Sequence, residues 1–174
     1  DFTLWHLYNQ SRPGADISAP RAWDRRFSGA YGTNLTNRII VAVIDSGVRL
    51  THQDLSANIW VNLDEQNGNS FVDDDRNGYR DDLNGWDFYD NNRNPSPGSS
   101  TNSFDGHGTH CSGIIAAVGN NGVGTTGVAW NGVQIMVLRF INNNSGTIPD
   151  AIEAINYAKD NGARVINASY GTSS

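Results

Sequence analysis

Apolar and polar residues alternate along the chain in blocks that predict strands and helices in turn. The segment 38–44 is a continuous apolar run rich in β-branched residues, which is typical of a strand covered on both faces. The segment 133–140 predicts a second buried strand, and 164–169 predicts a third strand. The segments 107–118 and 149–161, which lie between these runs, have helical patterns. Strand, helix, strand, helix and strand in this order predict a doubly wound parallel sheet.

The predicted helices differ in the faces that they offer to a sheet. The first carries a face of small residues, namely Gly108, Ser112, Gly113, Ala116 and Ala117. The second is amphipathic, with Ala151, Ile152, Ile155 and Ala158 on one side and Gly162 at its C-terminal end. A further helix is predicted to begin at Ala19, because Pro20 fits the first turn of a helix.

The segment 56–104 breaks this pattern, because it is rich in Asn, Asp and Gly and carries little helix signal. A short strand is predicted within it at 84–89. A loop region of this length inside a compact domain commonly has a function or binds an ion.

Composition narrows the classes of partner. The chain has 174 residues, with 12 Lys and Arg against 18 Asp and Glu, so its net charge is −6. This balance disfavours nucleic acid as a partner. No apolar run is long enough to cross a bilayer, so no membrane partner is expected. The single cysteine, Cys111, excludes a disulfide within the chain.

The acidic residues of the polar segment follow a spacing that is typical of calcium loops. Oxygen donors alternate around a glycine turn, in the order Asp73, Asp75, Asn77, Gly78, Tyr79 and Asp82. This resembles the start of an EF-hand loop, but Asn84 occupies the position where a full EF-hand has Glu. We therefore expect an isolated calcium site closed by Asp82 or Asp81. The alternative is a solvated acidic loop.

Three motifs point to one family. They are Val-Ile-Asp-Ser-Gly-Val at 43–48, Asp-Gly-His-Gly-Thr-His-Cys-Ser-Gly at 105–113, and Val-Ile-Asn-Ala-Ser-Tyr-Gly at 165–171. In this order the chain resembles the subtilases, the subtilisin-like serine proteases. Asp45 follows a buried strand and His107 begins a helix, so both are expected at the same end of the sheet. The resemblance implies that Asp45 orients His107 and that His107 acts as the general base.

Two neighbours of His107 allow other interpretations. His110 lies three residues further on and could form a metal pair with His107, but no Glu follows His107 as in metalloprotease helices. The resemblance gives His110 a structural role. Cys111 is interpreted as a buried thiol rather than a nucleophile, because it lies within a helix of small residues.

The resemblance implies an α/β fold in three layers, with a mostly parallel sheet and helices on both faces. Residues 1–174 would form the N-terminal half of one catalytic domain, with a calcium-binding insert at about 56–104. The implied function is a serine endopeptidase, a hydrolase of peptide bonds that is secreted, is made as a zymogen and binds Ca²⁺.

The resemblance also implies a substrate groove. One edge would be the strand end Ser169, Tyr170 and Gly171, where a peptide backbone pairs as an added strand. The opposite edge would be Asn144, Ser145 and Gly146. An apolar pocket would be lined by Ile148, Ala151 and Tyr170, although helix packing is the alternative for Ile148 and Ala151.

A second calcium site is implied near the histidine helix. Its expected ligands are the side chains of Asp54 and Asn121 and the carbonyl groups of Val118, Val123 and Thr125. Asp1 is a candidate for completing this shell.

The catalytic serine and the oxyanion-hole asparagine are missing from this sequence. Gly171-Thr172-Ser173 mimics a subtilase serine motif, but it directly follows the substrate strand and is interpreted as a surface loop. We therefore expect the serine to come from a C-terminal fragment that is bound as a second chain. Protein or peptide substrates and a propeptide or inhibitor are the other expected partners.

The alternative function is a non-catalytic, calcium-binding pseudoprotease module, which the presence of both Asp45 and His107 disfavours. A nucleotide-binding domain is also disfavoured, because no phosphate-binding glycine loop follows the first strand.

Overall fold

The computed structural model describes residue 4 and residues 6–27, 38–98 and 106–171, without the side chains of residues 24–27. Predictions that involve Asp1, the segment 99–105 and the segment 172–174 lie outside the described residues. The helices are α1 (Ala19–Phe27), α2 (Leu63–Asn67), α3 (His107–Ala116) and α4 (Ile148–Asp160), with a 3₁₀ turn at Ser56–Asn58. The strands are β1 (Ile39–Asp45), β2 (Gly85–Asp87), β3 (Val133–Arg139) and β4 (Val165–Asn167).

The four strands form one parallel sheet in the order β2-β3-β1-β4. Alternate residues of the central strands point to opposite faces, so each face has its own core. Ala42, Ile44, Met136 and Leu138 pack with α4 on one face, whereas Val41, Val43, Ile135 and Val137 pack with the end of α3 on the other. The predicted α/β fold with helices on both faces is confirmed.

The apolar runs form the central strands because both faces of β1 and β3 are covered. All seven residues of β3 and the last five of β1 are buried. Burying a Val or Ile side chain contributes about 1.5–3 kcal/mol. The two strands pair along their whole length, and the register places Asp45 beside Arg139 at their carboxyl ends. The central pair therefore provides a rigid base for Asp45.

The predicted inner face of α4 is partly wrong. Ala151 and Ala158 are buried as expected, but Ile152 is 54% exposed and Ile155 is 40% exposed. Ala154 and Tyr157 complete the buried face instead. The isoleucines form a second stripe, roughly 100° further round the helix, because successive residues advance by a quarter of a turn or more. The alanines face the sheet because their small side chains let the helix approach it closely.

The third predicted strand is confirmed but is shorter than 164–169, since it covers Val165–Asn167. β4 is an edge strand of the described sheet, where Val165 is 50% exposed and Ile166 is 39% exposed. Its pairing partner among the described residues is β1. Composition predicted the strand but not its place in the sheet, which decides its exposure.

The helix α2 was not predicted, since the segment 56–104 carried little helix signal. It begins after Asn62, whose side-chain oxygen accepts a hydrogen bond from the backbone N–H of Asp64. This is an ordinary N-cap. The short strand predicted at 84–89 is confirmed as β2. None of the helices within the described ranges has the length and apolar character needed to cross a membrane.

Candidate active site and metal sites

Asp45 and His107 meet at the carboxyl end of β1. Asp45 is fully buried, and both of its carboxylate oxygens lie 2.9 Å from Nδ1 of His107. The backbone N–H of Ser46 donates to Oδ1 of the same carboxylate at 2.7 Å. The His107 side chain is 35% exposed, because it begins α3 at the surface. A buried carboxylate thus holds one ring nitrogen of a histidine that solvent can reach.

Two glycines make this approach possible. A Cβ at Gly108 would lie 2.4 Å from the carbonyl oxygen of Gly47 and 3.2 Å from Oδ1 of Asp45. Gly47 has a φ of +95°, and its own Cβ would lie 2.6 Å from the carbonyl oxygen of Pro95. Both positions require glycine, because backbone lies where a side chain would be.

If His107 is the general base that the resemblance implies, Gly108→Ala should lower activity at least about 10²-fold, because the start of α3 must move away from Asp45 and small displacements of reacting groups cost that much. Overpacking of this kind also costs about 1–3 kcal/mol of stability. Gly113→Ala is the matched control, since Gly113 lies on the same helix and a Cβ there would meet nothing within 4 Å. Peptide hydrolysis and thermal melting measure both effects. Equal activity of the two variants would contradict the close contact.

The expected groove residues lie in two exposed segments. Ser169, Tyr170 and Gly171 follow β4 and are exposed, and the Tyr170 ring lies 4.6 Å from that of Phe140. Asn144, Ser145 and Gly146 lie between β3 and α4, in a turn where Ser145 and Asn142 exchange backbone hydrogen bonds of 2.9 Å. A Cβ at Gly146 would lie 2.5 Å from the carbonyl oxygen of Phe140. Phe140 therefore lies against both predicted edges.

The two predicted pocket residues of α4 behave differently. Ile148 is 63% exposed at the start of the helix, where a ligand can reach it. Ala151 is buried in the core against the sheet, so helix packing is its role.

The polar segment brings three carboxylates together. Glu65, Asp75 and Asp82 each offer an oxygen, and these oxygens lie within 4.8 Å of one another. Asn77 joins them, because its amide donates to Asp75 at 3.0 Å and to Asp82 at 2.9 Å. Burial of Asp82 raises the pKa of its carboxyl, and the nearby charge of Asp75 raises it further, against the lowering effect of its hydrogen bonds. The three carboxylates fit a hard cation such as Ca²⁺, which binds carboxylate oxygens, whereas Asn77 directs its amide NH₂ rather than its side-chain oxygen at them.

Two other residues predicted for this site make different contacts. The Asp73 carboxylate accepts hydrogen bonds from the backbone N–H groups of Asn77, at 3.1 Å, and Gly78, at 2.9 Å. The Tyr79 hydroxyl donates to Glu153 of α4 at 2.9 Å.

Sequence reasoning missed Glu65. It lies eight residues before Asp73, in α2, and its carboxylate accepts hydrogen bonds from the backbone N–H groups of Asp74, Asp75 and Asp81. One feature of the sequence could have indicated Glu65 as a ligand: it is the single glutamate between residues 56 and 104.

The second predicted metal site is organised around Asp54, which is buried. Its carboxylate accepts a hydrogen bond of 2.8 Å from the Asn121 amide and one of 2.9 Å from the Thr125 backbone. Its backbone carbonyl accepts from the N–H of Val118 at 2.9 Å, and the N–H of Val123 donates to the side chain of Asn121. The loop thus wraps around Asp54, and Val118, Val123 and Thr125 make these contacts through N–H groups rather than through the carbonyl groups expected as ligands. Asp54 is the one carboxylate among the ligands expected for this site, and it holds the loop through its own hydrogen bonds.

Comparisons with known proteins agree with these motifs. The sequence model of the subtilase family matches residues 36–174. The chain belongs to the subtilase family. It is 38% identical over 130 residues to subtilisin-like protease 1 of Plasmodium falciparum, covering 75% of this chain and 18% of that protein. It is 35% identical over 156 residues to thermitase of Thermoactinomyces vulgaris, covering 89% and 42%.

Solved subtilase structures share the fold. A protease of Pseudoalteromonas arctica superposes with a TM-score of 0.59 at 28% identity, covering 97% of this chain and 48% of that one. A serine protease of Aeromonas sobria, in complex with its chaperone, gives a TM-score of 0.55 at 29% identity, covering 78% and 19%. The chain therefore spans about a fifth to a half of the length of these relatives.

The two neighbours of His107 for which other roles were considered are His110, as a metal ligand, and Cys111, as a nucleophile. His110 is exposed and belongs to neither group of potential metal ligands found among the described residues. The Cys111 sulfur lies 3.9 Å from both ring nitrogens of His107. Burial raises the pKa of the Cys111 thiol, which favours the protonated and less nucleophilic form. These contacts support His107 as the base, with Cys111 as a packing residue.

Proposed function

We propose that this segment supplies the aspartate and histidine of a serine endopeptidase that hydrolyses peptide bonds. One observation carries the proposal: Nδ1 of His107 lies 2.9 Å from both oxygens of the buried Asp45 carboxylate. That contact fixes the imidazole ring and keeps the proton on Nδ1. The fixed ring then presents Nε2 as a base.

The proposed reaction begins at Nε2 of His107. This nitrogen takes the hydroxyl proton of a serine as the serine oxygen attacks the peptide carbonyl, and then gives it to the leaving amine. Asp45 stabilises the imidazolium that forms in between. The serine and the oxyanion-hole asparagine come from the C-terminal part of the protease, on the same polypeptide or as a bound fragment.

The proposed substrate is an extended peptide that lies between the two exposed segments. Ser169, Tyr170 and Gly171 would pair with its backbone, and Asn144, Ser145 and Gly146 would form the other side. Main-chain pairing gives affinity without reading sequence. Ile148 and Tyr170 offer apolar surface to a substrate side chain.

We further propose that the insert binds Ca²⁺ through the carboxylates of Glu65, Asp75 and Asp82, while the Asn77 amide holds two of them by hydrogen bonds. The cation would neutralise carboxylates that repel one another and would hold the loop closed. A second Ca²⁺ site is proposed at Asp54 with the loop that contains Asn121.

The proposed setting is extracellular, where calcium is abundant and a zymogen is held inactive by a propeptide or a similar partner. The Aeromonas sobria relative was crystallised with a chaperone, which supports a protein partner of this kind.

Fluorophosphonate labelling of the complete protease tests the proposal, because this probe reacts with activated serines. We expect labelling that is lost in His107→Ala. Denaturing mass spectrometry then tells whether the labelled serine lies on the same polypeptide or on a separate fragment. A folded protein without label or peptide hydrolysis would instead identify a pseudoprotease.

A further inference from the structure

Helix α4 makes a buried contact with the proposed calcium site. Tyr157 is 2% exposed, and its hydroxyl donates a hydrogen bond to Oδ2 of Asp82. Asp82 is fully buried and also accepts from Asn77 at 2.9 Å and from Asn62 at 3.0 Å. Tyr157 of α4 is thus one of three side chains that orient this carboxylate by donating hydrogen bonds to it.

Aromatic packing surrounds the contact. The Tyr79 ring lies 4.9 Å from that of Tyr157 and 5.2 Å from that of Trp86, and the Phe88 ring lies 5.9 Å from Tyr157. All these pairs are edge-on, which is a favourable arrangement for aromatic rings. The insert therefore packs on α4 through apolar rings, with one buried hydroxyl directed at a carboxylate.

The chemistry of the contact suits a metal ligand. The hydrogen bonds from Tyr157, Asn77 and Asn62 fix the plane of the Asp82 carboxylate and leave about one of its four lone pairs for a cation. Loss of such outer partners typically weakens metal binding 10–100-fold.

The opposite end of α4 borders the proposed groove. Thr147 caps the helix by accepting a hydrogen bond from the N–H of Asp150 at 3.2 Å, and the exposed Ile148 begins it. The helix thus extends from the proposed calcium site at Tyr157 to the groove segment 144–148.

We propose that Tyr157 is a positioning residue for the Ca²⁺ of the insert, and that it makes cation binding stabilise helix α4. This inference rests on the proposed calcium site. Helix α4 then has a second role besides core packing. A change in cation occupancy at Asp82 would change the stability of this helix, which begins at the groove.

The first test is terbium luminescence of the complete protease, blocked with a fluorophosphonate to prevent autolysis. Tb³⁺ replaces Ca²⁺ and is excited through nearby aromatic rings such as Trp86. We expect Tyr157→Phe to weaken Tb³⁺ binding at least about 10-fold. Tyr89→Phe is the matched control, because it removes the hydroxyl of an exposed tyrosine of the insert that is not among the proposed calcium residues. Asp82→Asn identifies the signal of this site.

Equal Tb³⁺ affinity of Tyr157→Phe and the wild type would overturn the inference. If the wild type and Asp82→Asn give the same signal, the proposed calcium site itself fails, and the inference fails with it. Fluorophosphonate labelling is independent of both results and continues to report on the catalytic proposal.

A second measurement requires no variant. Hydrogen exchange of the wild-type protease should slow in peptides from 148–160 when Ca²⁺ is added, whereas peptides from the central strand 39–45 should not change. Exchange in α4 that is insensitive to Ca²⁺ would also overturn the inference.

Discussion

Asp45→Asn should lower kcat of the complete protease by about 10⁴-fold, the scale known for the aspartate of serine-protease triads, subtilisin included. The Ser46 N–H donates to Oδ1 of Asp45, so the asparagine oxygen should occupy that position. Its amide NH₂ would then take the place of Oδ2, which also lies 2.9 Å from Nδ1 of His107, and would donate to that nitrogen. Nδ1 would become an acceptor and Nε2 would carry the proton, which is the wrong tautomer for a base.

The measurement is kcat for a peptide substrate, with thermal melting to verify that the fold is kept. Asp64→Asn is the control, because Asp64 is an exposed acid outside the proposed site and its loss should leave kcat unchanged. An Asp45→Asn variant within 10-fold of the wild type would show that His107 does not need this carboxylate.

The position of the candidate active site could be predicted because local patterns determine it. A continuous β-branched run predicts a strand covered on both faces, and Asp45 ends that run. The glycines on both sides of His107 predict close backbone contact. This is confirmed for Gly108, where a Cβ would lie 2.4 Å from the Gly47 carbonyl oxygen, but not for Gly106, where a Cβ would meet nothing within 4 Å. These features need no knowledge of distant neighbours.

Features that depend on distant neighbours were harder to predict. The apolar residues of α4 outnumber the positions that the sheet covers, so periodicity could not distinguish Ile152 from Ala154. Glu65 meets Asp75 and Asp82 through the path of the loop, and spacing within an EF-hand pattern cannot include a residue that lies before the pattern. The contact between Tyr157 and Asp82 joins residues 75 positions apart.

Removal of calcium should have the second large effect, on stability rather than on chemistry. A site that is saturated 100-fold above its dissociation constant stabilises the folded state by about 2.7 kcal/mol. For a domain of 150–250 residues, this corresponds to a loss of roughly 5–10 °C in Tm on chelation. Without the cation, the charges of Glu65, Asp75 and Asp82 repel one another.

The test compares fluorophosphonate-blocked protease with and without a chelator by thermal melting, and maps autolysis of unblocked protease by mass spectrometry. We expect a lower Tm and new cleavages within 63–82 when calcium is removed. The Asp75→Asn variant should be cleaved within that segment even in calcium buffer, because one of the three carboxylates is lost. Cleavage confined to 118–125 would instead assign the effect to the loop around Asp54. An unchanged Tm together with an intact insert would show that the carboxylates are held by their hydrogen bonds alone.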